Sequence, residues 1–358
     1  MQQDADPTKP LRVVQWTTGN VGEQTALAIL SNPHLELVGC YAWSEEKRNK
    51  DMGELLGIAN MGVHATDDID ALIALRPDCV CYNPIWGDAD HLCRLLSSGI
   101  NVVTTTHFIT GSQHYGEAAM QRIAQACEQG QSSIFGTGMH PGFSNMMALA
   151  TTTACSRVDK ITLLESQDAS GYASADTQRS VGFDHPIDAP YLQDLTRKGS
   201  TVFSEGLEMM AQALKIELTD IQFKANYAAA SADNDLGFMV IREGHVAGVE
   251  GHWLGLVDEK VVFDIGFKWN MGQHIVQPWD IDHAYLLEVR GMPTFKLRME
   301  IHPPHDFVAH SVQDYMTLGM VITGLPAVNA IPAVCAAKPG IRSYADMPLT
   351  PAAGFVSA

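Results

Sequence analysis

Short apolar runs alternate with segments of helical periodicity along the first 145 residues of the chain. Buried strands are indicated by the length and composition of the runs at 12–16, 35–43, 78–82, 101–105 and 132–135. One apolar helix face is indicated by the spacing of apolar residues in the segments at 23–30, 67–75, 88–98 and 115–129. Strands that alternate with helices in this way form a parallel sheet covered on both faces. The pattern therefore predicts a doubly wound α/β domain over 1–145.

A different pattern begins after residue 145. Helices are predicted over 146–155 and 203–214, and a strand is predicted over 160–167. From 221 to 302, apolar and polar residues alternate, with turn signals at 243–244 and 258–259, which predicts a mainly antiparallel sheet. We therefore expect an α+β domain over 146–314 that binds substrate and forms subunit contacts. Two apolar helical segments at 315–325 and 327–337 predict a C-terminal segment, 315–358, that returns to the first domain.

The turn after the first strand carries an incomplete dinucleotide-binding fingerprint. Gly19 and Gly22 match the second and third glycines of G-x-G-x-x-G, and Thr17 stands in place of the first. In a Rossmann domain, such a turn and the helix N-terminus that follows it hold a pyrophosphate. Cofactor contacts are predicted for Thr17, Thr18, Gly19, Asn20, Val21 and Gly22. The alternative is a glycine-rich turn in an α/β domain that binds no nucleotide.

The end of the second strand bears on the choice of cofactor. An NAD enzyme usually places Asp or Glu there to accept a hydrogen bond from the ribose 2′-hydroxyl. Here Ser44 is followed by two acidic residues and then by Lys47 and Arg48. A hydroxyl and two cations suit a 2′-phosphate, which predicts NADP(H) rather than NAD(H). The alternative is a solvated charged loop.

Composition excludes several classes of function. The formal net charge is −18 with no basic stripe, which argues against nucleic-acid or anionic-membrane binding. The polar N-terminus lacks an apolar signal region, and the apolar stretch at 318–337 contains glycine and proline, which favours a buried helix and turn over a bilayer span. Seven cysteines without a C-x-x-C pair favour a reducing compartment, so we expect a cytoplasmic protein. His302, His305 and His310 lie in a proline-rich turn, and no metal is predicted.

Three motifs carry a resemblance to a known family: WTTGNVG at 16–22, GTGMHPGF at 136–143 and PAVNAIP at 326–332. With them the chain resembles the dihydrodipicolinate-reductase-like superfamily, and within it the 2,4-diaminopentanoate dehydrogenase and native amine dehydrogenase branch. The resemblance implies an NAD(P)H-dependent enzyme that reduces a C=N or C=O bond by hydride transfer.

Two histidines depart from the pattern of that branch. Its amine dehydrogenases carry a glutamate just after the strand that corresponds to 101–105, where this chain has His107, and an asparagine is expected where His140 precedes a proline. Histidine is the side chain most easily tuned to donate a proton near neutral pH. Catalytic roles are therefore predicted for His107 and His140, one donating the proton and His140 alternatively orienting substrate. The other interpretation for each is a loop histidine that caps backbone carbonyls.

Further contacts are predicted from the loops at the strand ends. Asn83, Pro84, Thr105 and Thr106 are expected to hold the nicotinamide ribose. Asn329 reaches the same region from the returning helix or caps that helix. Substrate contacts are predicted for Phe143, Asp168 and Tyr172, with a turn role as the alternative for Asp168.

The sequence thus favours an NADP-dependent oxidoreductase that acts on a ketone, aldehyde or imine, with amine dehydrogenation as a sub-case. The alternative is an NADP-binding sensor that keeps the fold without the chemistry. A small-molecule substrate and a homodimer or homotetramer built through the second domain's sheet complete the expectation.

Overall fold

A computed structural model describes residues 9–277, 279–309 and 312–356. The chain forms two compact units, one of Met1–Gly142 with Met320–Ala358 and one of Phe143–Gly319. Sequence patterns placed the corresponding boundaries at 145/146 and 314/315.

The first unit is built on a seven-stranded sheet whose neighbouring strands all pair in parallel. Its strand order is β15-β6-β5-β4-β1-β2-β3. The strands are β1 (Leu11–Trp16), β2 (Leu35–Tyr41), β3 (Ala65–Thr66), β4 (Cys79–Tyr82), β5 (Asn101–Thr104), β6 (Ser133–Gly136) and β15 (Gly340–Arg342). The predicted doubly wound parallel sheet is confirmed.

Helices cover this sheet, and short acidic side chains begin several of them. The Asp68 carboxylate accepts a hydrogen bond from the backbone N–H of Ala71 at 3.0 Å, and Asp88 accepts one from Asp90 N at 2.7 Å, as N-caps do. The helices of this unit are α1 (Asn20–Ser31), α2 (Met52–Leu55), α3 (Ile69–Ala74), α4 (Ala89–Ser97), α5 (Gly116–Gly130) and the C-terminal part of α10 (Val312–Cys335).

Both faces of the sheet are buried, as the apolar strand sequences require. Val13 of β1 and Cys79 of β4 lie in one core cluster, whereas the adjacent Val14 and Val80 lie in the other. Successive residues of a strand point to opposite faces, so a strand buried on both sides is apolar throughout. The C-terminal part of α10 contributes Ala327, Val328, Ala330, Ile331 and Val334 to the first of these clusters.

The second unit contains a six-stranded sheet in the order β14-β13-β7-β12-β11-β8. Its strands are β7 (Arg157–Asp168), β8 (Asp220–Ala229), β11 (Val246–Val257), β12 (Lys260–Asn270), β13 (Ala284–Met292) and β14 (Phe295–Met299), with a separate pair, β9 (Asn234–Asp235) and β10 (Val240–Ile241). Its helices are α6 (Ser144–Thr152), α7 (Ala175–Ser180), α8 (Leu192–Gly199) and α9 (Thr201–Ala213). The predicted α+β character and mainly antiparallel sheet are confirmed.

Two details differ from the sequence-based expectation. β12 pairs with β7 in parallel, because β7 precedes the alternating region in the chain and inserts between β13 and β12. The two apolar segments around Pro326 form one continuous helix, α10, which also contains Pro332. A proline removes one backbone donor and its ring crowds the preceding turn of a helix, but the helix continues because the residues that follow Pro326 are buried in the core.

All seven cysteines are unpaired. Cys79 and Cys81 are fully buried on the same face of β4, as predicted for residues that fill the core. In the part of the chain that the structure describes, one segment, Asp314–Cys335 within α10, is long and apolar enough to cross a membrane by length and composition alone. The core helix of a soluble protein passes the same test.

Candidate functional site

The turn between β1 and α1 is held in an unusual backbone conformation. Thr17 has a φ of 74°, in the left-handed region that glycine, the usual residue at this position of the fingerprint, adopts without steric cost. Its N–H donates to the Tyr41 carbonyl at 2.9 Å, its hydroxyl donates to the Asn83 carbonyl at 3.1 Å, and its own carbonyl accepts from the Gln15 amide at 3.0 Å. Three hydrogen bonds therefore fix the residue that replaces the first glycine.

The same turn fits an anionic group. A Cβ at Gly22 would collide with the Thr17 carbonyl oxygen, whereas a Cβ at Gly19 would meet nothing within 4 Å. Gly22 is thus needed for close packing of α1 on the turn, whereas the space beside Gly19 is open. The Thr18 hydroxyl is buried with no hydrogen-bond partner among the described residues. Asn20 and Val21 precede the first helical hydrogen bond, from Glu23 N to Gly19 O at 2.8 Å, so their N–H groups belong to the free helix end that attracts phosphate.

The loop after β2 uses both of its cations within the protein. The Lys47 ammonium donates to the Thr18 carbonyl at 2.9 Å, which ties this loop to the turn of residues 17–22, called the phosphate turn after the ligand predicted for it. The Arg48 guanidinium pairs with Asp67 at 2.6 Å. The carbonyl of Ser44 accepts from the N–H groups of Lys47 and Arg48, which makes the loop a compact turn. A 2′-phosphate at this loop would therefore compete with Asp67 for Arg48.

Asn83 is the centre of a polar network beneath the turn. Its side-chain oxygen accepts from the Gln15 amide at 2.9 Å and the Thr25 hydroxyl at 3.2 Å, and its amide donates to the Thr105 hydroxyl at 2.8 Å. These bonds join the ends of β1, β4 and β5 to α1. The predicted cofactor residues Asn83 and Thr105 thus support the phosphate turn from below, with Pro84 half-buried beside them.

The predicted proton donor lies in the loop after β5. His107 is half-buried and stacks on Trp86 from the loop after β4, with ring centroids 4.8 Å apart and planes at 21°. His114 lies against the same indole, with a centroid distance of 5.8 Å. Thr106 joins the two loops, since its hydroxyl donates to the Ile85 carbonyl at 3.3 Å. The imidazole of His107 is therefore held in a defined plane.

The loop that carries His140 packs next to the loop after β5. A Cβ at Gly136, the last residue of β6, would overlap the Phe108 carbonyl oxygen, so glycine is required for this contact. The Thr137 N–H donates to the Thr104 carbonyl at 2.9 Å and extends the sheet pairing. His140 follows in extended backbone (φ −150°, ψ 110°) and is half-buried. The ends of β5 and β6 thus hold the two candidate histidine loops in register.

Asn329 lies in the interior of α10, so the alternative that it caps this helix is wrong. Its side-chain oxygen is buried and accepts no hydrogen bond from the described residues. Gly324, on the same helix, approaches Thr25 of α1 closely enough to exclude a Cβ. The returning helix therefore presents an unused buried acceptor in the unit that carries the nucleotide turn, and the predicted cofactor contact of Asn329 stays a prediction.

The second unit holds the residues predicted to contact substrate. Asp168, at the end of β7, is exposed, and its carboxylate accepts from Ser170 N at 2.9 Å, as a turn residue does. Tyr172 keeps 36% of its surface exposed, and burial of its hydroxyl, followed by the charge of Glu165, raises the Tyr172 pKa. Phe143 is half-buried at the start of α6.

Glu165 was not predicted as a functional residue. It lies on β7, and its Oε1 atom accepts a hydrogen bond from the Trp269 indole N–H at 3.0 Å. Burial raises the pKa of Glu165 to about 8, and the bond from Trp269 offsets part of that increase. A carboxyl with such a shifted pKa is a candidate for function, because burying it among apolar groups costs stability and strongly shifted pKa values cluster at functional sites.

Metal ligands were not predicted, and the described residues contain no group of three or more His, Cys, Asp or Glu side chains that could hold an ion. His302 pairs with Glu300 at 3.1 Å. His310, the third histidine of the sequence cluster, lies outside the described residues.

A parallel sheet with a phosphate turn after its first strand defines the first unit as a Rossmann-type nucleotide-binding unit. A family model, the 2,4-diaminopentanoate dehydrogenase C-terminal domain, matches residues 144–355. The chain belongs to this family, and the resemblance to its amine dehydrogenase branch is confirmed.

Named relatives agree with this assignment. The chain is 26% identical to an amine dehydrogenase from Streptomyces virginiae over 363 aligned positions, which cover 96% of this chain and 98% of the relative. It is 25% identical to a 4-hydroxy-tetrahydrodipicolinate reductase from Synechococcus elongatus over 170 positions, 43% of this chain and 56% of that protein. The structure of an amine dehydrogenase from Mycobacterium smegmatis has the same fold, with a TM-score of 0.79 at 18% identity, covering 96% of this chain and 98% of that one.

The chain is therefore an NAD(P)H-dependent oxidoreductase that uses a nicotinamide cofactor. The predicted enzyme class is confirmed, which sets aside the alternative of a non-catalytic sensor.

Proposed function

We propose that this protein is an NADP-dependent oxidoreductase that transfers hydride to or from the C=O or C=N group of a small molecule. The observation that carries this proposal is the imidazole of His107, held against Trp86 at the carboxyl end of β5, in the unit that also carries the phosphate turn. Ligands of open α/β sheets bind outside the carboxyl ends of the strands. When bound, the nicotinamide supplies or accepts the hydride.

His107 is the proposed proton donor. As the substrate carbon gains hydride, the adjacent oxygen or nitrogen gains negative charge, and a proton from an imidazole nitrogen neutralises it. In the reverse direction the same nitrogen takes the proton back. Stacking on Trp86 fixes the plane in which the imidazole presents its N–H. His140 is the proposed second polar group of the reaction, either as the donor in its place or as a group that orients substrate.

NADP is the proposed cofactor. The residues proposed to bind it are those of the phosphate turn and the loop after β2. In this loop Lys47 donates to the Thr18 carbonyl, and Arg48 pairs with Asp67. Two cations at the loop that faces the adenosine ribose favour a 2′-phosphate through charge neutralisation. Thr105, Thr106 and Asn329 are proposed to contact the nicotinamide half of the cofactor.

In the second unit, Phe143, Asp168 and Tyr172 remain the proposed substrate contacts. We also propose a cytoplasmic homodimer or homotetramer formed through the six-stranded sheet, because its edge strands β8 and β14 need protection from unwanted pairing. No nucleic-acid or membrane partner is expected from a chain with a net charge of −18.

The test uses His107→Ala, with the exposed His34→Ala as the matched control. NADPH oxidation is followed with a panel of ketones, aldehydes and cyclic imines, and NADP⁺ reduction with primary amines. We expect His107→Ala to lose about 100-fold or more in turnover, the usual share of a general acid, while its NADPH affinity stays at the wild-type value. Wild-type turnover by His107→Ala with bound cofactor would exclude the proposed role.

A further inference from the structure

Glu165 places a carboxyl on the apolar face of the six-stranded sheet. Ile161 and Leu163 precede it at two-residue intervals on β7 and are buried, so Glu165 points to the same side. Its cross-strand partners are Phe267 of β12 and Tyr285 of β13, both buried. A charged residue type therefore stands in a row of apolar and aromatic side chains.

Aromatic rings surround this carboxyl on several sides. Trp269 donates to its Oε1 atom and stacks on Phe267 with ring centroids 4.2 Å apart. Phe203 of α9 lies 4.9 Å from the Phe267 ring and 6.2 Å from the Trp269 ring. Burial, and after it the charge of Glu165, raises the pKa of the Tyr172 hydroxyl. Packed aromatic rings therefore form an apolar wall beside this carboxyl.

The carboxyl is enclosed but not sealed. Glu165 is half-buried, and Tyr172 is 36% exposed, so this cluster reaches the surface of the second unit. The second carboxyl oxygen, Oε2, forms no hydrogen bond or ion pair with any described residue, and it is not fully buried. This oxygen is therefore available to a ligand that reaches the cluster from the surface.

The protonation state of this group follows from its surroundings. No Lys or Arg among the described side chains pairs with Glu165, and the apolar wall disfavours the charged form. With Oε1 occupied as an acceptor by Trp269, the uncharged acid has one hydroxyl, on Oε2, left to donate. A carboxylic acid kept neutral in an apolar site can serve as a hydrogen-bond donor at neutral pH.

We propose that Glu165 binds substrate as an uncharged carboxylic acid that donates its hydroxyl to an acceptor oxygen or nitrogen of a neutral carbonyl or imine compound. This inference deepens the proposed function and rests on it. The aromatic wall formed by Trp269, Phe267 and Tyr172 takes the apolar part of the same molecule. Glu165 is thereby a substrate-binding residue that selects an acceptor over a cationic ammonium group.

The proposal gives a pH dependence with a definite sign. The donor exists only while the carboxyl is protonated, and the pKa of Glu165 is about 8. A neutral acceptor ligand therefore binds most tightly at pH 6 and loses affinity as pH rises through about 8. An ammonium ligand on a carboxylate would behave in the opposite way, gaining affinity over the same range.

The experiment measures the binding of cyclohexanone, as a neutral carbonyl probe, to the NADPH-loaded protein by ligand-observed NMR at pH 6 and pH 9.5. We expect about a fivefold loss of affinity between the two pH values, the scale of one uncharged hydrogen bond. Glu165→Gln keeps an acceptor for Trp269 and an N–H donor at every pH, so its affinity stays near the pH 6 value throughout. Glu165→Met lacks the donor and binds about fivefold more weakly at pH 6. The exposed Glu217→Gln behaves as wild type.

Trp269→Phe gives an independent check. Loss of the indole N–H removes the bond that lowers the pKa of Glu165, so the pH at which affinity falls moves upward. Cyclohexanone affinity that is equal at both pH values, or unchanged in Glu165→Met, would overturn the proposal. Cyclohexylamine binding that strengthens with pH and is lost in Glu165→Gln would identify an ammonium site instead. NADPH is titrated first in each sample, because failure to bind it contradicts the proposed function and not the role of Glu165.

Discussion

Thr17 shows how a single residue departs from the motif that revealed the site. A left-handed φ costs a non-glycine residue roughly 1–2 kcal/mol, and the hydrogen bonds to Tyr41, Asn83 and Gln15 offset this cost. The sequence indicates a turn at this position because Gly19 and Gly22 follow. It does not indicate that threonine takes the glycine conformation, since the partner Asn83 lies far along the chain.

The two remaining glycines of the motif give a first prediction. Gly22→Ala forces α1 away from the Thr17 carbonyl, so we expect a loss of roughly 1–3 kcal/mol in the free energy of unfolding, as for an overpacked site, and a loss of NADPH affinity. Gly19→Ala has free space and should cost less than about 1 kcal/mol in stability. We expect Gly19→Ala nonetheless to weaken NADPH binding at least tenfold, because its Cβ occupies the side open to phosphate.

Urea unfolding and NADPH fluorescence titration measure the two effects separately. Wild-type NADPH affinity in Gly19→Ala would show that the cofactor does not approach this face of the turn.

Glu165 stands out in the periodicity of its strand but belongs to no recognised motif, so a search for motifs does not find it. Residues 161, 163 and 165 are spaced at strand periodicity, and the third is charged where the first two are apolar. That inconsistency within one strand face was a usable signal. Its surroundings were not readable, because Trp269 and Tyr285 come from strands more than a hundred residues away.

Among the structural elements, the loop after β2 is the one that we propose sets the cofactor preference. Arg48 is paired with Asp67, which lies after the next strand, so part of its charge is already compensated. The pair was not predicted, because Asp67 stands 19 residues further along the chain.

Removing this competitor gives a second prediction. Asp67→Asn should raise the NADPH-to-NADH affinity ratio by about two- to fivefold, the scale of one exposed ion pair. Asp70→Asn removes the same charge from an exposed pair with Arg94 and should leave the ratio unchanged. Fluorescence titration of both variants with both nucleotides measures it, and an unchanged ratio in Asp67→Asn would place the 2′-phosphate elsewhere.

The sheet of the second unit carries a charged ladder across β7, β12 and β11. His252 contacts Asp264 at 2.7 Å and Glu250 at 3.6 Å, and Lys160 contacts Asp264 at 2.8 Å. The hydrogen bond with Asp264, and then the contact with Glu250, raises the pKa of His252 from 6.5 to about 9. Because the folded-state pKa is the higher one, this stabilisation is complete below pH 6.5 and is lost as pH rises through about 9.

A third prediction follows from that sign. The free energy of unfolding of the wild type should fall, relative to His252→Gln, by up to about 3 kcal/mol between pH 6 and pH 10. Urea denaturation at a series of pH values measures the difference between the two proteins. A constant difference across this range would mean that His252 carries no extra charge in the folded state.

Element boundaries were largely readable, and element partners were less so. Local sequence predicts the helix that Asp88 caps. It also predicts the turn at Asp258 and Glu259, two residues that have positive φ. The continuous α10 and the parallel pairing of β7 with β12 do not, because core packing and strand insertion decide them.

At the scale of the whole molecule, the fold and family were accessible from sequence because the strand–helix alternation and the three motifs extend over most of the chain. The substrate was not, because the side chains that define it come from distant strands and loops.

Oligomeric state provides a fourth prediction. The edge strands β8 and β14 lead us to expect a dimer or tetramer, with a mass at least twice the 38.9 kDa of one chain. Light scattering at micromolar concentration measures this mass. A monomer would exclude assembly through the sheet at that concentration.

The most direct test of the central claim is a titration of the protein with NADPH and with NADH, followed by nicotinamide fluorescence. The account predicts saturable binding of both nucleotides, with NADPH at least tenfold tighter because of the cations at the loop after β2. NADH preference would contradict the proposed 2′-phosphate site, and no binding of either nucleotide would contradict the assignment of the turn at Thr17 to Gly22 as the cofactor site.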